Sequence, residues 1–336
     1  MTALTLPSPA PASRRTRWLL RLHRPALCTW AALVLVLGAA LLWLWGPLTD
    51  AAAQAWRQYN ACGLTARCSY DQAAILRYKD LYQYTTLAVL AVPFLTAAWA
   101  GGGLTGRELE TGTARLAWTQ SVSPVRWLAT ALTVPAVLVT AGTTLLVWLH
   151  RLVWTAGEGR IDTADRWYDI LTFYANGPLT VALALAGLVV GALAGLLLRR
   201  ALAALFTGAV ALAALWAAVG TVLPHLWPSV TRVTALGGDG PAGAGITVDE
   251  GLVTAGGAHV ARPLCGIGAH PSCAEAYARL DAVGYYRDYH PRAHYWPLQL
   301  TATGLLAAVT VLLTVAAFWL LRRRTATAAV RRRGTA

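Results

Sequence analysis

The sequence predicts an all-α polytopic membrane protein with six transmembrane helices. Its 336 residues are 57% hydrophobic and only 13% charged, whereas a soluble domain usually carries about 25% charged residues. Six long stretches contain no Asp, Glu, Lys or Arg, and each can cross a hydrocarbon core of about 30 Å as a helix. The basic residues gather at the ends of these stretches and favour one side of the membrane.

The apolar stretches set the predicted boundaries. Each must form a helix, because lipid offers no partner for open backbone N–H and C=O groups. The charge-free stretches are bounded by Arg24 and Asp50, Asp80 and Arg107, Arg126 and Arg151, Asp169 and Arg199, Arg200 and Arg232, and Arg292 and Arg322. Within them we predict spans at residues 26–46, 82–103, 127–149, 177–198, 201–222 and 298–321.

The predicted spans divide the chain into three regions. Residues 1–24 form a basic N-terminal segment, residues 25–322 the six-helix transmembrane domain, and residues 323–336 a basic tail. The outer segment, 224–296, is the longest part outside the membrane. Its Gly-rich portion, 236–268, is expected to be a loop.

The charge distribution predicts that both termini lie in the cytoplasm. With the N-terminus inside, the cytoplasmic segments hold 16 of the 28 basic residues and 2 of the 15 acidic ones. The outer segments then hold the other 12 basic and 13 acidic residues. This asymmetry follows the positive-inside rule. The net charge of +13 therefore does not indicate nucleic acid as a partner, and no nucleic-acid-binding motif accompanies it.

The basic N-terminal segment has an amphipathic pattern. In SRRTRWLLRLHR, residues 13–24, the side chains of Trp18, Leu19 and Leu22 share one helical face among arginines. This pattern is typical of a helix that lies in the membrane interface. A basic tail ahead of the first span explains it equally well, so both interpretations stay open. The apolar stretch that follows is too long for a cleavable signal peptide.

Four cysteines fall in the predicted outer segments, on the oxidising side of the membrane. The simplest connectivity pairs Cys62 with Cys68 and Cys265 with Cys273, although three connectivities are possible. A zinc site is disfavoured because the CxxC spacing is missing. Cys28 lies in the first span as a small apolar residue.

The segment before the last span is rich in rings. Amphipathic rings prefer the headgroup level, so these residues are expected to form an aromatic belt. No metal site is predicted, because Pro291 interrupts the i, i+4 pair His290 and His294. The rings of the expected belt are Tyr285, Tyr286, Tyr289, Tyr295 and Trp296.

The spans themselves contain no Asp, Glu, Lys or Arg. An ion-coupled transporter usually keeps such a residue at depth, so this class is disfavoured. No catalytic residues are predicted either, since no Ser/His/Asp set or HExxH motif lies near a membrane face. In the fourth span Gly187, Gly191 and Gly195 form two overlapping GxxxG steps on one face. They indicate either a dimer interface or close packing within one subunit.

One cytoplasmic loop carries a distinctive sequence, GGGLTGRELETGTARLAWTQSVSPVRW. Thr105 followed by Glu108 fits a capping box and predicts a short helix that begins there. Ser123 and Pro124 predict the N-cap and first turn of the third span. The loop is not a phosphate loop, because it lacks the required lysine. It is either a handle for a cytoplasmic partner or a solvated connection.

This loop resembles the loop between helices two and three of ABC-2 type transporter permeases, in particular an actinobacterial branch of them. The resemblance rests on the stretch Arg107–Trp127, with its E-x-E-x-G-T core and the continuation RLAWTQSVSPVRW. The YHPRAHYWPLQ approach to the last span, the very short connection between spans four and five, and the basic C-terminal end are also similar.

The resemblance implies the architecture of a type V exporter. The loop would form a coupling helix that docks on a separate cytoplasmic ATPase, which binds the ATP, so this chain needs no cofactor of its own. Two permease subunits, identical or different, would assemble in the lipid of the plasma membrane and move a hydrophobic or amphipathic substrate. The residues implied to contact the ATPase are Glu108, Glu110, Gly112, Thr113 and Arg115.

Two other functions compete with this one. The chain could be a non-transporting scaffold or sensor whose outer segments bind a ligand. A membrane enzyme is a third and weaker possibility, because the sequence offers no catalytic set.

Overall fold

A computed structural model describes residues 24–62, 69–119, 122–162, 164–236, 241, 243–265 and 272–333, and side chains only as far as residue 326. The predicted interfacial helix, with Trp18, Leu19 and Leu22, lies outside the described residues, apart from Arg24. Cys68 also lies outside them.

In the described part of the chain, six helices are long and apolar enough to cross a membrane, which confirms the predicted number of spans. Several continue beyond the hydrocarbon thickness, because their ends are amphipathic and pack on neighbouring helices instead of stopping at the lipid surface. We number them as span 1 (Arg24–Asn60), span 2 (Gln72–Glu110), span 3 (Pro124–Gly157), span 4 (Pro178–Leu198), span 5 (Ala201–His225) and span 6 (Arg292–Ala326).

Spans 1 and 2 each contain a π-helical segment. In span 1 it covers Leu44–Leu48 and includes Pro47, which has no N–H to continue the helix. The hydroxyl of Thr49 donates to the carbonyl of Leu44 at 2.5 Å, so the interrupted backbone keeps a partner. In span 2 the π segment is Ala100–Gly106, directly before the cytoplasmic loop.

The remaining helical boundaries follow local signals. Ser123 accepts a hydrogen bond from the Arg126 N–H at 3.3 Å, and Pro124 opens span 3, as the sequence predicted. Apart from the π segments, the described helices and helical segments are Arg24–Trp43, Thr49–Asn60, Gln72–Trp99, Arg107–Glu110, Thr113–Thr119, Pro124–Gly157, Ile170–Ala175, Pro178–Leu198, Ala201–Val222, Leu223–His225, Cys273–Arg279, Arg292–His294 and Tyr295–Arg333.

Span 4 is the central helix of the membrane domain. It packs against spans 2, 3, 5 and 6 and is buried over most of its length. A helix that is apolar all round is expected in such a position. Spans 1, 5 and 6 instead expose large apolar side chains on their outer faces, including Leu35, Phe206 and Leu312. The described part of the chain does not cover these faces.

The outer segment contains a four-stranded antiparallel sheet within its described residues, so the all-α prediction is wrong there. The expectation that 236–268 is a loop is wrong for residues 246–254 and 259–260, which form strands. The strand order is β1-β4-β2-β3. Gly251 lies within β2, where a Cβ would come within 2.3 Å of the Val260 carbonyl oxygen, so this position favours glycine. The strands are β1 (Val230–Ala235), β2 (Ile246–Thr254), β3 (His259–Val260) and β4 (Ala282–His290).

The outer sheet has a small core of its own. Leu252 and Tyr277 are buried together, and the disulfide between Cys265 and Cys273 packs beside them. The imidazole Nε2 of His290 donates to the Pro224 carbonyl at 2.8 Å and ties β4 to the end of span 5.

The predicted aromatic belt is wrong in part. Tyr285, Tyr286 and Tyr289 belong to β4, and the last two are buried in the sheet. Tyr295 is buried inside the helical domain, where its ring meets Phe173 edge to face. Trp296 remains half-exposed at the start of span 6.

Candidate functional site

The loop between spans 2 and 3 contains a sharp turn and a short helix. Span 2 ends at Glu110, and the helix Thr113–Thr119 follows after two residues. Gly112 makes this turn with a φ of 77°, a left-handed conformation that glycine adopts without steric cost. No atom lies within 4 Å of the place where a Cβ would be added to Gly112.

The predicted capping box is not formed. Thr105 lies inside the π segment of span 2 and is fully buried. Its hydroxyl bonds the carbonyl oxygens of Ala100 and Ala192, both at 3.1 Å. No helix begins at Thr105, because span 2 continues through this position to Glu110. The hydroxyl instead joins span 2 to span 4.

Both acidic residues of the loop have partners within the chain. The carboxylate of Glu108 accepts a hydrogen bond from the Thr113 hydroxyl at 2.6 Å, across the turn. Glu110 Oε2 accepts from the backbone N–H of Ala201 at 2.8 Å. Ala201 is the first residue of span 5, so this carboxylate caps the positive end of that helix. The two acids therefore hold the loop in shape and fasten it to span 5.

Arg115 lines a separate cavity with a volume of ≈ 540 Å³. Arg199, Arg324 and Trp118 also line it. Burial lowers the pKa of the Arg199 guanidinium, and the positive charges of Arg324 and Arg115 lower it further.

The three glycines of span 4 pack against span 2 of the same chain. A Cβ added to Gly187 would lie 2.5 Å from the Pro93 carbonyl oxygen, and one added to Gly191 would lie 2.1 Å from that of Ala97. At Gly195 the nearest atom is the Thr105 hydroxyl oxygen. Their shared face is thus occupied within the subunit, by the helix that leads into the loop.

The π segment of span 2 makes an equally close contact with span 5. A Cβ at Gly101 would lie 2.5 Å from the Ala204 carbonyl oxygen, and one at Gly106 would lie 3.1 Å from the Ala201 Cα. Spans 2, 4 and 5 therefore cross backbone to backbone just before the loop begins. A displacement of the loop would have to move these helices with it, because backbones packed this closely leave no space for independent movement.

A family model described as ABC-2 membrane transporter related matches residues 31–223. The chain belongs to this family. The matched range includes spans 1 to 5 and the loop between spans 2 and 3. Comparisons with curated proteins and with solved structures found no match.

Membership, together with the six spans, makes the chain a permease of an ABC transporter and a multi-pass protein of the plasma membrane. It is a transport subunit.

A buried polar network in the permease was missed by the sequence analysis. His150 of span 3 is fully buried; its Nε2 lies 2.7 Å from the Thr86 hydroxyl and its Nδ1 lies 2.7 Å from Asn176 Oδ1. Arg151 and Tyr295 both bond the Asn176 carbonyl. The network joins spans 2, 3 and 6. The stretches that predict the spans are defined by the absence of Asp, Glu, Lys and Arg, so a neutral histidine such as His150 does not stand out in them.

A second cavity of the permease lies on the predicted outer side. It has a volume of ≈ 450 Å³ and is lined by Tyr78, Lys79, Tyr82, Asp165 and Asp169 among others. Burial raises the pKa of Asp165, the Asp169 carboxylate raises it further, and Lys79 opposes the shift. This cavity opens above the His150 network, since Tyr82 packs against the imidazole at 5.1 Å between ring centroids.

Proposed function

We propose that the chain is the membrane subunit of an ATP-driven exporter of the type V architecture, with both termini in the cytoplasm. Two permease subunits, identical or different, would pair in the lipid of the plasma membrane, and a separate ATPase subunit would dock on each loop between spans 2 and 3. The ATP would be bound by that partner, and this chain would need no cofactor of its own.

One observation carries this proposal: the loop presents an exposed contact surface while it is fastened to the membrane domain. Leu116 is 62% exposed on the helix Thr113–Thr119, and Arg115 beside it is exposed as well. An exposed apolar side chain is a typical anchor for a groove on a partner. The bonds of Glu108 and Glu110 keep this helix in place on the chain.

The loop can therefore transmit movement. ATP binding would shift the ATPase, the ATPase would shift the loop helix, and the helix would shift spans 4 and 5 through the close glycine contacts of span 2. In this scheme Arg115 and Leu116 contact the ATPase directly. Glu108, Glu110, Gly112 and Thr113 shape the loop and act through it.

The chemistry of a third cavity supports an apolar or amphipathic substrate. It has a volume of ≈ 360 Å³ and lies between spans 1, 2 and 3, where Trp30, Leu33, Trp99 and Leu138 are among its lining residues. None of the described lining residues is charged. A cavity of this composition favours hydrocarbon or aromatic groups over ions.

Association with the ATPase tests the proposal. The permease would be co-expressed with each candidate ABC ATPase of its source genome and purified through a tag on the ATPase. We expect Leu116→Asp to abolish co-purification, because it places a charge in the apolar contact. Val283→Asp is the matched control, since Val283 is 54% exposed on the outer sheet. Unchanged association of Leu116→Asp would overturn the proposed docking surface.

A non-transporting sensor is the alternative function, and the outer sheet with its neighbouring cavity favours it. Deleting the ATPase gene separates the two functions. Export of the substrate stops without the ATPase if the chain is a permease subunit of an exporter, whereas a sensor keeps its response.

A further inference from the structure

The cavity that contains Arg115 lies where the loop meets the ends of spans 4 and 6. Its volume is ≈ 540 Å³. Three arginines line it: Arg115 from the loop helix, Arg199 from the connection between spans 4 and 5, and Arg324 from span 6. None of the described lining residues is acidic. The cavity is therefore a concentrated positive site.

The two acids of the loop do not line the cavity. The Glu110 carboxylate is bonded to the Ala201 N–H and the Glu108 carboxylate to the Thr113 hydroxyl. Mutual repulsion shows in Arg199, whose pKa is lowered by burial and then by Arg324 and Arg115. An anion in the cavity would relieve this repulsion.

The backbone at Arg199 points to a use for its side chain. Arg199 ends span 4 with a φ of 54°, the left-handed conformation in which helices commonly end with glycine. An arginine there is strained, whereas glycine is not. Keeping the arginine is understandable if its guanidinium binds something.

The walls of the cavity add a hydrogen-bond donor and apolar surface. Trp118 lines the cavity, and its indole N–H is buried without an acceptor in the described part of the chain. Buried donors normally have a partner, so this N–H is available to a ligand oxygen. Leu196, Leu320 and Leu321 complete the lining from the membrane side.

We propose that this cavity binds the phosphate group of an anionic lipid. Guanidinium groups pair with phosphate oxygens through two parallel N–H···O bonds, and basic pockets between transmembrane helices hold lipid headgroups. Leu320, which is partly exposed, offers the acyl chains an apolar contact beside the cavity. The bound headgroup joins the loop helix to spans 4 and 6, so it sets the position of the surface that the ATPase would use.

Native mass spectrometry of the purified full chain in detergent tests this site. The probes are dioleoylphosphatidylglycerol, which is anionic, and dioleoylphosphatidylcholine, which is not. We expect tighter binding of the anionic lipid. The double variant Arg199→Gln, Arg324→Gln should bind it about thirtyfold more weakly, because each arginine near an anionic headgroup contributes roughly a fivefold factor.

Arg200→Gln, Arg322→Gln is the matched control. Both arginines are exposed at the same end of the membrane domain but do not line the cavity, so this variant changes the net charge equally and should keep the affinity. Trp118→Phe gives an independent test. It removes the indole N–H, which has no acceptor in the described part of the chain, and keeps an aromatic ring next to Trp127. It should weaken binding of the anionic lipid and leave binding of the phosphatidylcholine unchanged.

Three results would overturn the proposal. The first is equal binding of the two lipids, and the second is equal loss in the cavity variant and its control. The third concerns the source of the phosphate: inorganic phosphate that stabilises the chain as strongly as the lipid would assign the cavity to a soluble anion.

The lipid assay contains no ATPase, so its outcome is independent of the proposed docking. A cavity variant that binds lipid normally but loses the ATPase would assign the arginines to acidic side chains of that protein and overturn the lipid site.

Discussion

Glu110 Oε2 accepts a hydrogen bond from the backbone N–H of Ala201 at 2.8 Å, joining residues that are 91 positions apart in the sequence. The bond links the end of span 2 to the beginning of span 5. A carboxylate in this position satisfies an N–H that has no partner within its own helix and interacts favourably with the helix dipole. The loop is thereby fixed to a helix whose motion it is proposed to drive.

Replacing Glu110 by alanine should destabilise the permease by about 1 kcal/mol, the usual effect of losing a helix cap. The change would appear as a lower midpoint of thermal unfolding for the purified protein in detergent. Glu275→Ala in the outer helix Cys273–Arg279 is the control, because it removes a carboxylate far from the loop. An unaltered midpoint for Glu110→Ala would mean that the cap adds nothing to the folded state.

Replacing Gly191 by alanine should reduce stability by roughly 1–3 kcal/mol, the range for overpacking. The new methyl group would lie 2.1 Å from the backbone oxygen of Ala97, which cannot move without shifting span 2. Gly304→Ala is the matched control in span 6, since nothing lies within 4 Å of the added carbon. It should be neutral or stabilising. Equal midpoints for both variants would contradict the close crossing of spans 2 and 4.

Gly112→Ala should cost about 1 kcal/mol, because alanine is strained at a φ of 77°. We expect the turn to adjust and the helix Thr113–Thr119 to shift, which should lower transport-coupled ATP hydrolysis in the assembled transporter. Gly257→Ala imposes the same strain in the outer sheet, where φ is 79°. If both variants lowered coupled hydrolysis alike, the effect would come from general destabilisation and not from the loop.

Asp165 predicts a pH dependence. Its pKa is raised in the folded chain, so folding favours its protonated form. Its contribution to stability is therefore greatest at low pH and falls as pH rises from the ordinary aspartate value through the raised one. Asp165→Asn should raise the unfolding midpoint at neutral pH and remove this part of the pH dependence. Asp162→Asn, at an exposed position nearby, serves as the control and should change neither.

Much of the membrane domain could be predicted from residue type. The number of spans follows from apolar length, and the cap at Ser123 follows from a local pattern. The capping box at Thr105 failed although its spacing was suitable. The Thr105 hydroxyl donates instead to the carbonyl oxygens of Ala100 and of Ala192, which lies in span 4. A sequence pattern within span 2 cannot predict the contact with span 4.

The prediction for the outer segment was wrong for a related reason. Ile246 of β2 pairs with His290 of β4, far along the chain, and the glycines of the range 236–268 indicated a loop. Strand pairing depends on partners that are remote in sequence, so neither strand shows its structure alone. The His150 network was missed because its members come from different spans, and each is unremarkable by itself.

The sequence by itself determined that the chain has six spans, because a charge or an open backbone group is unfavourable in lipid and each segment must avoid both by itself. It also singled out the loop between spans 2 and 3. Only the tertiary structure decided that the span 4 glycines face span 2, that Glu110 caps span 5, and that three arginines surround one cavity. These contacts join distant segments, and their energies depend on geometry that exists only after the helices have packed.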